Sequence, residues 1–177
     1  MKQEEKSQKS RAHILEYAFG EFAEQGYLGA SVNTICAAGR ISKGLLYHYY
    51  ADKDALYLAC VQRCFQELTA ALSAALDART VTPDQYFDAR LTFFARHPRH
   101  QRLFCDTVVN PPRHLLRELA DCRASFDELN ETMLTAILEK ETLAQGLSIP
   151  DAIAPGGRHG RCRASTVKFP VRCVNGR

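Results

Sequence analysis

The sequence predicts an all-α fold, and three observations support that prediction. Apolar residues recur with a period of about 3.6 through most of the 177 residues, as they do on one face of a helix. Capping residues, glycines and prolines separate these periodic segments. No segment alternates apolar and polar residues over the length of a strand. We therefore expect helices joined by short turns.

The first predicted helix is amphipathic and runs from Gln8 to Gln25. Glu16 and Glu24 lie opposite its apolar face, and Gly26 is expected to end it. The apolar face consists of Ile14, Leu15, Ala18, Phe19 and Phe22.

Two short helices follow, joined by residues 39–41. Ser31 is placed to cap the first of them, which is expected to end at Ala38. Ser42 is placed to cap the second, which is expected to end at about Tyr49. Two short helices with such a connection are the layout of a helix-turn-helix, in which the later helix lies in the DNA major groove.

The fourth predicted helix is long and is expected to form the spine of the molecule. Asp52 caps it, and its apolar stripe continues to about Ala78. The stripe consists of Leu56, Cys60, Val61, Cys64, Leu68, Leu72 and Ala75.

Prolines divide the next part of the chain into two helices. Residues 82–85 form a capping box with proline in the first turn. Pro98 breaks the fifth helix, and Pro111 ends a short sixth one. We expect the fifth helix to turn Tyr86, Phe87, Leu91 and Phe94 inward, and Leu103, Phe104 and Val108 indicate the sixth.

The last helix has the clearest periodicity and runs from about Arg113 to Gln145, with Gly146 closing it. Its apolar face consists of Leu115, Leu119, Cys122, Phe126, Leu129, Met133 and Ile137.

Composition indicates a globular protein with no membrane span. Hydrophobic residues make up 46% and charged residues 24% of the chain. The charged N-terminus lacks a signal-peptide pattern, so we expect a cytoplasmic protein. The net charge is +3, but six bases after Pro150 leave 17 bases and 19 acids in the first 150 residues. Binding to nucleic acid must therefore be argued from local geometry.

Seven cysteines without regular spacing predict reduced thiols and no disulfide framework. Cys60 and Cys64 have the spacing of a metal clamp or an oxidant-sensing pair, but their place on an apolar stripe favours core packing. His97 and His100, with Cys105 nearby, lack a fourth zinc ligand in reach, which favours a surface turn over a zinc site.

The stretch 41–56, ISKGLLYHYYADKDAL, carries chemistry suited to DNA. Gly44 permits close approach of the backbone to a phosphate or a base edge. The free N–H groups and the positive dipole end of the helix attract an anion there, and Lys43 adds a formal charge.

Four other side chains extend this surface. Tyr47 and Lys53 are suited to bind phosphates. His48 can hydrogen-bond a base, and Leu45 can contact a thymine methyl. Core packing is favoured for the remaining large residues of the helix, Leu46, Tyr49 and Tyr50.

The strings ILEYAFGEFAEQGYLGASVNTIC and ISKGLLYHYYADKDAL resemble the N-terminal domain of TetR/AcrR-family transcriptional regulators. The resemblance extends over residues 14–56. Its matching positions are Phe22, Gly26, Tyr27, Ser31, Val32, Ile35, Ile41, Ser42, Gly44, Leu46, Tyr47, Tyr49, Tyr50 and Lys53.

The resemblance implies a DNA-binding head and a variable helical body that forms a homodimer. In such regulators the third helix contacts the operator, and a small molecule bound in the body usually releases the DNA. Residues that commonly touch DNA match Ser42, Lys43, Gly44, Tyr47, His48 and Lys53.

Arg40 departs from the family pattern, which often has glycine there. A positive φ at this position would cost arginine about 1 kcal/mol. Alternatively, Gly39 forms the turn. We count Arg40 among the candidate phosphate contacts, and Ser31 completes the candidate DNA-binding residues.

Aromatic residues on the later helices have two interpretations. They line an effector pocket between the long helices, or they fill the core. The set consists of Tyr86, Phe87, Phe94, Phe104 and Phe126.

Residues 151–177 lose all periodicity and are basic. They are a disordered arm that attracts DNA, a divergent irregular ending, or a frame-shifted end beyond about codon 154. The last is our hypothesis. Because the resemblance assigns the dimer-forming helices to this part, we expect weak or absent self-association.

We predict a helix-turn-helix domain at residues 1–51, a helical effector-binding and dimerisation body at 52–150, and a basic tail at 151–177. The predicted function is a ligand-responsive repressor that binds a palindromic operator. The alternative is a helical ligand-binding or interaction module without DNA binding. No nucleophile elbow, phosphate loop or HExxH pattern occurs, so we expect no enzyme, cofactor or metal site.

Overall fold

The computed structural model describes residues 2–145, and this part is built from helices without strands. The all-α prediction is confirmed. The predicted helix end at Gly146 and the tail lie outside the described residues. The elements are α1 (Lys2–Gly29), α2 (Val32–Gly39), α3 (Lys43–Tyr49), α4 (Lys53–Ala75), α5 (Pro83–Arg96), α6 (Pro98–Val109), a 3-10 turn (Arg113–Leu115) and α7 (Leu116–Gln145). We call α1–α3 the head and α4–α7 the body.

The first helix begins earlier than predicted but is interrupted where predicted. Gly26 has φ +65° and ψ 178°, which breaks the helix before one further turn. A Cβ at this position would lie 3.3 Å from both carboxylate oxygens of Asp106 on α6. Glycine therefore allows both the backbone conformation and the close approach of α6.

Three of the four predicted side-chain caps are confirmed. The side chains of Ser42 and Asp52 accept the N–H three residues on, at 3.2 and 2.7 Å. Thr82 forms the predicted capping box. The cap at Ser31 is wrong: this residue precedes α2 without a side-chain cap, and its own N–H donates to Glu21 Oε1 at 3.0 Å.

The core is centred on α4, which packs against α1, α5, α6 and α7. Its predicted stripe is buried from Leu56 to Leu72, but the helix ends at Ala75, which is exposed. Cys60 and Cys64 are fully buried, so core packing is confirmed for both. Burial raises the pKa of the Cys64 thiol to about 12. No disulfide joins the cysteines within residues 2–145.

The inward face of α5 differs from the prediction at two positions. Tyr86 and Phe94 are buried as predicted. Phe87 is 40% exposed and Leu91 is 65% exposed, while Phe93 is buried instead. The capping box fixes where the helix starts, and from there residues spaced three and four apart share the inward side.

The prediction of a surface turn around His100 is wrong. His100 lies in the first turn of α6, which begins at Pro98, and is buried against α4. Its Nε2 lies 2.7 Å from Glu67 Oε2. Burial lowers the pKa of His100, although the hydrogen bond to Glu67 opposes this shift. His97, in contrast, is exposed.

Candidate nucleic-acid interface

The turn between α2 and α3 is formed by Arg40. Its φ and ψ are 51° and 42°, the left-handed region, so this arginine bears a strain of about 1 kcal/mol. The alternative turn at Gly39 is wrong, because Gly39 is the last residue of α2 and its φ is not positive. A Cβ on Gly39 would lie 2.4 Å from Ile41 Cδ1 and 3.0 Å from Tyr17 Cδ2. Glycine is thus needed at position 39 for packing.

The helix α3 has one face turned outward and one turned into the head. Leu46 is completely buried and Tyr50, just after the helix, is 4% exposed, which confirms core packing for both. Tyr49 is partly buried, and its hydroxyl donates to Ser7 Oγ at 3.0 Å. The exposed residues of α3 and its cap are Ser42, Lys43, Gly44, Leu45, Tyr47 and His48.

This outward face is open and positively charged. A Cβ at Gly44 would meet no atom within 4 Å. Neither Lys43 nor Arg40 forms an ion pair with any residue that the structure describes. Because no acid among the described residues neutralises these cations, they are available to an external anion.

Two candidate residues lie outside α3 and are partly buried. Ser31 precedes α2. Lys53 begins α4, and its Nζ lies 4.8 Å from the centre of the Tyr27 ring. The Tyr27 hydroxyl donates to Asp54, and burial together with this bond raises the pKa of Tyr27 to about 12.

A contact between head and body at Asp54 is not predicted by the sequence pattern. His114, in the 3-10 turn, places Nε2 at 3.0 Å from Asp54 Oδ2 and at 3.2 Å from the Tyr27 hydroxyl. A cavity of about 360 Å³ lies at the same junction, lined by residues 25–28, Asp106 and residues 110–114. The three bonded residues are far apart in sequence, so only the folded chain reveals their contact.

The aromatic residues of the body are largely packed against one another. Phe104 lies 5.2 Å from Phe94, 5.3 Å from Phe65 and 5.8 Å from Phe126, measured between ring centres. Tyr86 is buried and its hydroxyl donates to Asn130 on α7. Core filling thus accounts for most of this set, and their role in an effector pocket stays a prediction.

The described residues contain neither a membrane-spanning helix nor a metal-binding cluster. Within residues 2–145 no helix has the length and apolar character needed to span a bilayer. No group of three or more His, Cys, Asp or Glu side chains in this range is arranged to hold a metal ion.

Two short helices, a tight turn and an outward face opened by glycine define a helix-turn-helix module. Residues 14–60 match the family model described as bacterial regulatory proteins, tetR family. A TetR-like transcriptional regulator from Rhodococcus sp. has a similar structure, with a TM-score of 0.59 and 26% identity, covering 77% of this chain and 73% of that one.

Two sequence relatives are also regulators of this type. Over 94 residues the chain is 33% identical to an HTH-type transcriptional repressor of Streptomyces coelicolor, covering 53% of this chain and 47% of that protein. Over 144 residues it is 28% identical to the HTH-type transcriptional regulator RutR of Escherichia coli, covering 80% and 63%. The chain is therefore similar to TetR-family regulators, and it spans less than two thirds of the length of these curated relatives.

Proposed function

We propose that the protein is a DNA-binding transcriptional repressor and not an enzyme. The observation that carries the proposal is the outward face of α3, which is exposed and opened by Gly44. Arg40 and Lys43 flank this face and form no ion pair with the described residues. Leu46 is buried on the opposite side of α3 and holds the helix in the head. The polar groups of the outward face are therefore not needed to hold it in place. A rigid cationic face at a helix N-terminus suits the phosphates of a DNA groove.

The side chains divide into positioning and base-contacting groups. Arg40, Lys43 and the Tyr47 hydroxyl bind phosphates. His48 and Leu45 lie further along the exposed helix and contact base edges. The Ser42 hydroxyl already accepts the Leu45 N–H, so Ser42 acts by fixing the start of the helix as well as by touching DNA.

Ser31 and Lys53 make the flanking contacts in this proposal. The Tyr27 ring restricts the Lys53 ammonium, which lowers the entropy cost of holding it against a phosphate. A palindromic operator requires two heads about one DNA turn apart, roughly 34 Å, and therefore a homodimer. The protein acts in the cytoplasm, where such an operator lies.

The body supplies ligand response. Tyr86, Phe94, Phe104 and Phe126 bring aromatic surface from three helices together, and Phe87 lies at an exposed edge of this group. A small molecule inserted among these rings would change the spacing of α5, α6 and α7. Because α6 packs on α1, such a change would reach the head.

The proposal is tested by DNA binding of Lys43→Ala and Tyr47→Phe. Fragments selected from the host's own DNA serve as the probe in fluorescence anisotropy. We expect Lys43→Ala to lose affinity by about tenfold and Tyr47→Phe by somewhat less, with unchanged far-UV circular dichroism. Arg117→Ala is the matched control, since it removes an exposed body cation that forms no ion pair with the described residues.

Equal affinity of wild type and both variants would overturn the proposal. It would favour the alternative, a helical ligand-binding or interaction module without DNA binding. Sedimentation of the full chain tests self-association separately: a tight dimer at micromolar concentration would contradict the weak self-association expected from the tail, and a single chain would mean that two chains meet only on the operator.

A further inference from the structure

We infer that the body binds an effector with a carboxylate group and an apolar portion, and that Arg90 recognises the carboxylate. The inference rests on the proposed ligand response and names its chemistry. Arg90 lies on α5 and is half-buried. Its guanidinium carbon lies 5.6 Å from the ring centres of Tyr86, Phe104 and Phe126.

The charge of Arg90 has no counterion in the part of the chain that the structure describes. Arg63 and Arg90 are the two half-buried arginines among residues 3–140. Arg63 pairs with Glu16 at 2.9 Å and with Glu67 at 2.7 Å. Arg90 contacts aromatic rings instead of a carboxylate. Ring faces offset part of the cost of desolvating a cation, and an anion would offset the rest.

The hydrogen-bonding groups of Arg90 are largely available. Its one hydrogen bond to the described residues runs from Nη1 to the Tyr86 hydroxyl and is long, at 3.4 Å. Apart from the Tyr86 hydroxyl, the three rings offer no oxygen or nitrogen acceptor to the remaining N–H groups of the guanidinium. That fork of donors matches the two oxygens of a carboxylate.

The groups around Arg90 define the rest of the ligand. The Tyr86 hydroxyl donates to Asn130 Oδ1, which leaves the Asn130 amide hydrogens as further donors beside the site. The three rings offer apolar surface to the body of the ligand. A carboxylic acid with an aromatic or aliphatic body fits this combination.

The position of Arg90 gives the ligand a route to the head. Arg90 belongs to α5, Phe104 to α6 and Phe126 to α7, so a ligand here contacts all three helices. The α6 helix packs on α1, and His114, just before α7, bonds Asp54 at the start of α4. Displacing these helices would alter the contacts that orient the head.

Calorimetric titration of the full chain without DNA tests the inference. The probes are benzoate and hexanoate, each with its neutral amide, so aromatic and aliphatic acids are distinguished. We expect at least one acid to bind, and its amide to bind at least about tenfold more weakly. Arg90→Met should weaken binding of that acid by at least about tenfold, and Arg90→Lys should lie between.

Arg96→Met is the matched control, because Arg96 lies exposed on the same helix. It should leave the affinity unchanged. Methionine fills the volume of the arginine stem, and circular dichroism checks the fold of each variant. If Arg90→Met does not fold, the comparison of acid with amide and the Arg90→Lys variant still decide the question.

No saturable binding of either acid at millimolar concentration would overturn the inference. Equal affinity for an acid and its amide would overturn it as well. So would equal affinity of wild type, Arg90→Lys and Arg90→Met for the acid. DNA binding that depends on Lys43 would survive any of these results, so failure of this inference is distinct from failure of the proposed function.

Discussion

The head and the body use their cations differently. On the outward side of the head, Arg40 and Lys43 are exposed without ion pairs among the described residues. Four arginines of the body are bound to carboxylates of the protein itself. The pairs are Arg63 with Glu16 and Glu67, Arg79 with Asp77, Arg99 with Glu16 and Glu24, and Arg123 with Asp127.

The paired arginines of the body hold helices together, whereas the cations on the outward side of the head are left to bind a partner. Glu16 and Glu24 lie on α1, so Arg63 and Arg99 connect the body to the inner side of the head. Such half-exposed pairs are worth little individually. They neutralise Glu16 and Glu24, whereas Arg40 and Lys43 near α3 form no ion pair with the described residues.

The largest expected effect concerns the two faces of α3. Leu46→Ala should lower the free energy of unfolding by about 3 kcal/mol, because it removes a fully buried side chain. Its neighbour Leu45 is 39% exposed, and Leu45→Ala should cost less than about 0.5 kcal/mol. Urea denaturation followed by circular dichroism measures both. Equal losses would show that α3 lacks the division into faces described here.

The next effect concerns the unpaired cations. Replacing Arg40 and Lys43 together by alanine should lower DNA affinity by about a hundredfold and reduce the slope of log affinity against log salt by about two. The control is Arg79→Ala with Arg123→Ala, which removes two cations paired within the body. An equal change of slope in both double variants would contradict the proposed difference between the cations of the head and those of the body.

A smaller effect is expected at the strained turn. Arg40→Gly should raise the free energy of unfolding by about 0.5–1 kcal/mol, since glycine tolerates the left-handed conformation. Ala38→Gly, at an exposed position inside α2, should lower it by a similar amount. Thermal and urea unfolding measure both changes in the free energy of unfolding, which should have opposite signs. Destabilisation by Arg40→Gly would mean that the arginine side chain contributes more than its backbone strain costs.

The smallest expected effect is a pH dependence in the body. Burial lowers the pKa of His100 below its ordinary value of 6.5, with His97 and Arg63 acting in the same direction. The folded chain therefore binds this proton less readily than the unfolded chain, so stability is lost as pH falls below about 6.5. Burial would raise the pKa of Glu67, but Arg63 and His100 lower it, which adds a loss at more acidic pH.

His100→Phe tests this dependence. The substitution keeps ring packing, since His100 lies 4.6 Å from Phe19 and 5.6 Å from Phe93 between ring centres. The melting temperature of the wild type should fall relative to that of the variant as the pH is lowered from about 8 to about 5.5. A difference that stays constant over this range would show that His100 does not titrate with folding.

Much of the fold and part of the site follow from short stretches of sequence. The order of helices, the caps at Ser42, Asp52 and Thr82, and the interruption at Gly26 depend on residues within a few positions of one another. The burial of Leu46 beside exposed Leu45 follows equally from helical spacing. Local hydrogen bonds and the helical period do not depend on distant parts of the chain.

The remaining features were decided by tertiary structure. His100 is buried because α6 brings it to Glu67, 33 residues away in sequence. Arg40, and not Gly39, takes the left-handed conformation of the turn, and a side chain at position 39 would meet both Ile41 and Tyr17. Arg90 lacks a counterion among the described residues, because three helices surround it with rings. Each outcome depends on which distant groups meet, and periodicity along one segment carries no information about its neighbours in space.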